Sequence, residues 1–134
     1  MASDLRWQLR FQNYRNSLRD FKIALQQEHY SVLERAGLIQ LFEVSFELAW
    51  KTLKDVLTYS GYIAITQRVV IRTAFEYELI DDADVWLEAL DSRNKYSHIY
   101  DQKQAEISTQ KIKEHFATLL LNFEKKLEEW SNES

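Results

Sequence analysis

The chemistry available to this chain is concentrated in one run, Arg93-Asn94-Lys95-Tyr96-Ser97-His98-Ile99-Tyr100. It closes a segment of helical pattern in which Trp86 and Leu90 form an apolar seam. The same steps carried further reach Arg93, Ser97 and Tyr100. A charged group on an inward face is costly unless it is paired or used, so this helix end is expected to line a cleft or to meet a second molecule. Arg93 presents planar donors that suit a phosphate, and His98 titrates near neutrality. Together they suit phosphodiester chemistry, with His98 as acid or base and Arg93 stabilising charge on phosphorus. Asn94 and His98 share one helical face; Arg93, Ser97 and Tyr100 share the next. Arg93 and His98 diverge by about 140° on an ideal helix. They converge only across a cleft, at a frayed helix end or with help from a second chain. Cleavage of RNA through its 2′-hydroxyl benefits from both an acid and a base, and a two-fold dimer would bring two copies of His98 together. The same residues also fit a polar helix end held by an Arg–carboxylate pair.

Other chemistries find less support. The three histidines, His29, His98 and His115, have no metal-ligand spacing, and no Glu-x-x-His occurs. Glu43 and Glu47 lie one helical turn apart. They are better placed to anchor buried hydrogen bonds or to pair with a base than to bind metal. No metal site and no cofactor are expected. Two glycines cannot build a phosphate loop, there is no Gly-x-Ser-x-Gly elbow, and the absence of cysteine excludes thiol catalysis and disulfides.

The positioning elements are helices. With no proline and only two glycines, the chain favours long helices and short connections. Trp7, Phe11, Tyr14, Leu18, Phe21 and Leu25 recur at steps of four and three, predicting a first helix over about Asp4–Gln27. Ser31 and Glu34 form a capping box for a second helix, which Gly61 stops. Its inward set is Val32, Ala36, Ile39, Phe46, Trp50, Leu53 and Leu57, widened by Leu38, Leu41 and Leu48. Thr66 caps a short third helix over Gln67–Glu78, and Asp81, Asp82 or Asp84 caps a fourth. Asp101–Gln104 is expected as a turn before a last helix, Ala105–Trp130, with Ile112, Phe116, Leu119, Phe123, Leu127 and Trp130 inward. The expectation is a single all-α domain over residues 1–134: an antiparallel up-and-down four-helix bundle with one additional short helix.

The 134 residues suffice for one domain with a core. The net charge of −4 argues against broad non-specific nucleic-acid binding, though not against a local basic cleft. Charge is uneven. Arg6, Arg10, Arg15, Arg19 and Lys22 crowd the first helix, while Asp81, Asp82, Asp84, Glu88 and Asp91 form a stretch without a base. These are solvated faces, or opposite patches that help two proteins dock. Four Trp, seven Tyr and seven Phe are a heavy load for such a bundle, and some rings are expected at a subunit interface. No apolar run is long enough for a membrane helix. The N-terminus lacks a signal-peptide core, so a cytoplasmic location is expected.

The combination of Leu38–Glu43, Phe46–Lys54, Arg68–Phe75, Trp86–Glu88 and Arg93–Asp101 resembles the nucleotidyltransferase substrate-binding protein family, within the HEPN superfamily of helical bundles. The resemblance implies a homodimer whose partner is a separate minimal nucleotidyltransferase, with the helical subunit binding a nucleotide or other substrate in a cleft. It also implies the toxin half of a toxin–antitoxin module: a metal-independent ribonuclease using Arg93 and His98, with Asn94 as the polar residue after the arginine; from their own placement, Ser97, Glu43 and Glu47 are expected to support binding. Tyr100 falls at the tyrosine of an Arg-x4-His-x-Tyr pattern, which the partner can modify with AMP. A non-catalytic scaffold for the partner is the remaining alternative. The chain lacks the Gly-Ser dipeptide of a nucleotidyltransferase site of its own.

Overall fold

The computed structural model describes residues 2–98 and 101–133. Its helices are α1 (Ala2–Leu25), α2 (Val32–Tyr59), α3 (Gln67–Glu76), α4 (Ala83–Tyr96), α5 (Gln102–Lys111) and α6 (Ala117–Glu133). A π turn over Ile112–Phe116 joins α5 to α6, so the two run as one rod. The fold is the all-α antiparallel four-helix bundle, with α3 as the short extra helix.

Pairings between rods fix the up-and-down course. Arg10 meets Asp55, and the Ser17 and Ser45 hydroxyls bond, so α1 and α2 run opposite ways. Phe42 packs on Tyr96 and Phe46 on Trp86, which sets α4 antiparallel to α2. Lys22 pairs with Glu124 and Arg15 with Glu128, so the last rod returns antiparallel to α1. The Tyr14 hydroxyl, fully buried, donates to the Leu120 carbonyl at 2.7 Å and ties α1 to α6 internally.

Capping chemistry sets the boundaries. Ser31 accepts from the Glu34 N–H while the Glu34 carboxylate accepts from the Ser31 N–H. Hydrogen bonding to the carboxylate from the Ser31 backbone N–H and from the Ser31 side chain holds the Glu34 carboxyl below its usual range. Gly61 ends α2 at φ +93°, a conformation glycine adopts without penalty. Thr66 and Asp82 cap α3 and α4.

Three expectations are corrected. Asp101–Gln104 is not a turn: the Asp101 carboxylate caps the Lys103 N–H and α5 begins at Gln102. Val32 and Ala36 belong to the start of α2 but stay exposed, because they line an open groove beside α5 rather than the core. The third helix stops at Glu76, since Glu78 takes a left-handed φ of 62°.

The inward stripe of α1 is buried from Trp7 to Phe21. Phe42 stacks on both Phe46 and Phe116, and Phe123 meets Trp86 edge-on. Much of the aromatic load therefore fills the interior of one chain. Burying each such ring contributes roughly 1.5–3 kcal/mol. Tyr59, Phe75 and Tyr77 stay about half exposed near the α2–α3 end. Among the described residues no helix is long and apolar enough to cross a membrane.

Candidate functional site

The C-terminal half of α4 carries the polar run, and α2 faces it. Trp86, Ala89 and Leu90 hold this face of α4 against the core, and Tyr96 is its last buried residue. The seam was expected to pass to Ser97, but the helix ends at Tyr96 and Ser97 becomes the C-cap, exposed to solvent. Sequence steps of three and four lose their meaning where the helical turn stops.

Arg93 sits between the rods with its side chain about one-third exposed. Its Nη2 lies 3.3 Å from the Glu47 carboxylate on α2. Its Nη1 approaches the Asn94 side-chain oxygen at 3.5 Å. Its Nε is buried without a hydrogen-bond partner. A guanidinium held by two long contacts, with one orphaned N–H, is positioned but not saturated.

Glu47 is the hub on α2. It accepts from the nearly buried Trp50 indole at 3.0 Å and pairs with Lys51 at 3.2 Å. Burial is the largest single influence on this carboxyl and opposes ionisation. The bonds from Trp50 and Lys51, with the Arg93 and Lys51 charges, together outweigh it and keep the carboxyl below its ordinary value. Glu43, one turn earlier, shows the opposite balance. Burial pushes its carboxyl up, and the Arg93 charge only partly counters that. Two carboxyls one turn apart on α2 are thus biased in opposite directions by their surroundings.

Glu43 and Ser97 also line a groove of about 440 Å³, together with Gln40, Tyr96, Asp101 and Gln102. The groove runs between the start of α2 and the α4–α5 junction. The Ser97 hydroxyl donates to the Asn94 carbonyl. His98 is exposed just past the end of α4, its backbone N–H bonded to the Lys95 carbonyl at 3.0 Å. Among the described residues no bond joins the His98 imidazole to Arg93. The geometry therefore gathers Arg93, Glu47, Asn94 and Glu43 in one place, sets Ser97 at the groove, and leaves His98 at the rim. Tyr100 lies outside the described residues.

Tyr96 was not among the expected site residues. Burial raises its phenol above the ordinary value, the neighbouring Ser92 and Ser108 hydroxyls pulling the other way. Its hydroxyl lacks a partner in bonding geometry. Its place one turn beyond Ser92 on the α4 seam was the signal available.

The third of the four long rods thus carries Arg93 opposite Glu47 and ends two residues before His98. The chain belongs to the family described as nucleotidyltransferase substrate binding protein like, whose family model matches residues 9–129. A relative from Haemophilus influenzae, described as "Probable ribonuclease HepT", is 36% identical over 75 residues. That match covers 52% of this chain and 51% of the relative, so the chain spans about half the length of the curated relative it matches. A crystal structure of a Thermus thermophilus protein superposes with a TM-score of 0.78 at 29% identity, covering 85% of this chain and 98% of that one.

Proposed function

We propose that this chain is the helical, toxin-like half of a two-protein module. Its partner is a separate minimal nucleotidyltransferase, and its own contribution is the Arg93 cleft of a cytoplasmic homodimer, open to a nucleotide or RNA. One observation carries the reading: Arg93 is placed at the α2–α4 seam by Glu47, yet its side chain stays about one-third exposed and its contacts there are long. A structural arginine would be saturated by its neighbours, whereas a phosphate-binding one needs donors in reserve. Co-expression with the adjacent nucleotidyltransferase tests it. The two proteins should co-purify, and the intact mass of this chain should rise by whole AMP units at Tyr100. Failure to co-purify under low and high salt, with an unchanged mass, refutes the proposal.

The second reading is an active ribonuclease, favoured by exposed His98 just over one turn past Arg93 and by the description of the Haemophilus influenzae relative. His98 would take the proton from a 2′-hydroxyl as it attacks phosphorus, or give one to the leaving 5′-oxygen. The partner copy's imidazole supplies the other role. Arg93 would turn from Glu47 to the phosphoryl oxygens as their charge grows. Partner-free protein, unmodified at Tyr100, should then cleave RNA in chelator, and His98→Ala should lower the rate by about 10²-fold or more. Intact RNA under those conditions eliminates this reading and leaves substrate binding, or scaffolding of the partner, to the complex.

A further inference from the structure

The other end of α4 holds a second cavity, of about 210 Å³, that shares no lining residue with the groove at Glu43 and Ser97. Trp86 and Ser97 bound the two sites along α4, about 16 Å apart by helical rise. It is a concavity open to solvent, with exposed Asp81, Thr118 and Asn122 at its mouth and buried Trp86 and Phe123 beneath.

Two backbone irregularities converge on it. The π turn widens the last rod at Ile112–Phe116 and brings His115 to the cavity wall. Such turns are infrequent and recur at functional sites. Glu78, a non-glycine residue at φ 62°, turns the chain so that Ile80 and Asp81 close the cavity from the α3–α4 connection. That conformation costs about 1–2 kcal/mol, so the connection is held there by the packing around it.

The lining selects a ligand chemistry. Trp86 and Phe123 form the buried floor, in edge-to-face contact at 5.0 Å between centroids, with Leu119 and Val85 as apolar sides. On the α6 rim stand the Thr118 hydroxyl and the Asn122 amide. Neither side chain has a hydrogen-bond partner among the described residues. The rim's ionic groups are largely matched already: Lys126 pairs with Asp81 at 2.7 Å, and Asp82 caps the Val85 N–H. An anionic ligand would have to displace Asp81 and lie beside Asp82. A flat uncharged ring with one polar edge meets apolar walls on its faces and unpartnered donors and acceptors on that edge.

The geometry points to a second binding site, between α4 and α6, for a neutral heteroaromatic ring of purine or indole size. It goes beyond the Arg93 cleft and does not depend on the partner protein. The test is titration of the full chain with adenine and with indole, followed by calorimetry and by backbone amide NMR. Both rings should bind saturably and move the amides of Thr118, Leu119 and Asn122. Leu119→Trp, which fills the cavity, should weaken both at least tenfold. Should that variant not fold, Thr118→Trp fills the same space from an exposed position. Asn122→Ala should weaken adenine several-fold and leave indole unchanged. The proposal is overturned by absence of saturable binding of both rings, by shifts centred on Ser97 and His98 instead, or by unaltered binding in the filled variant. Equal adenine affinity in Asn122→Ala overturns the polar-edge assignment.

Discussion

Glu47 offers the sharpest test of how the Arg93 cleft is held. Its carboxylate serves two kinds of neighbour, the nearly buried Trp50 N–H and the cationic Arg93 and Lys51 side chains. Glu47→Ala removes both kinds of interaction. A buried donor left without a partner costs about 1–3 kcal/mol. The ion pair with Arg93 is long and its side chains are 32% and 27% exposed, so its loss adds no more than about 1 kcal/mol. The alanine variant should therefore be destabilised by about 2–3 kcal/mol. Glu47→Gln keeps an acceptor for Trp50 and loses only the charge, so it should cost about 0.5–1 kcal/mol. Denaturant unfolding at neutral pH measures both. The charge also has a pH signature. The folded carboxyl titrates below its unfolded value, so the folded state binds fewer protons there. Its stabilisation is complete above the ordinary glutamate range and is lost as pH falls through the folded pKa. Wild type should lose stability across that acidic window more steeply than Glu47→Gln. Equal destabilisation by the two variants, or parallel pH profiles, would refute this dual role of Glu47.

Phe42→Ala removes a fully buried ring stacked on Phe46 and Phe116, and should cost about 3–5 kcal/mol in denaturant unfolding. Ser31→Ala breaks one arm of the capping box and should cost about 1 kcal/mol, read as a lower melting temperature without change of fold. Gly61→Ala places a Cβ at φ +93° and should destabilise by about 1 kcal/mol although nothing lies near enough to clash. Tyr14→Phe strips the bond to the Leu120 carbonyl and should cost about 1 kcal/mol, with faster amide exchange where α1 meets α6.

The helices and their caps were legible because they depend on neighbours a few residues away. The stripe from Trp7 to Phe21, the Ser31–Glu34 box, Gly61 and the Thr66 cap are local facts of spacing and side-chain reach. Local pattern was weaker at element ends. Asp101 followed by Gln-Lys-Gln carries a cap signal and a helical composition, but the polar run resembles a turn until the Asp101 carboxylate is seen on the Lys103 N–H. Val32 and Ala36 continue the periodicity of α2, yet periodicity cannot tell an open groove from the core. The charge clusters meet partners that spacing does not reveal: Arg10, Arg15 and Lys22 pair with Asp55, Glu128 and Glu124, while Asp81, Glu88 and Asp91 pair with Lys126, Lys111 and Arg68. Those pairings join different elements of the fold.

The sequence by itself determined the helical bundle, the family and the polar run from Arg93 to Tyr100, because residue type and spacing along one chain suffice for each. Only the tertiary structure decided that Glu47 holds Arg93, that Glu43 and Glu47 are biased in opposite directions, and that Tyr96 rather than Ser97 closes the seam. It also placed the π turn and Glu78 around a cavity at the far end of α4. All of these depend on which side chains meet across the gap between rods. That gap is set by the packing of every helix at once, and no short stretch of chain encodes it.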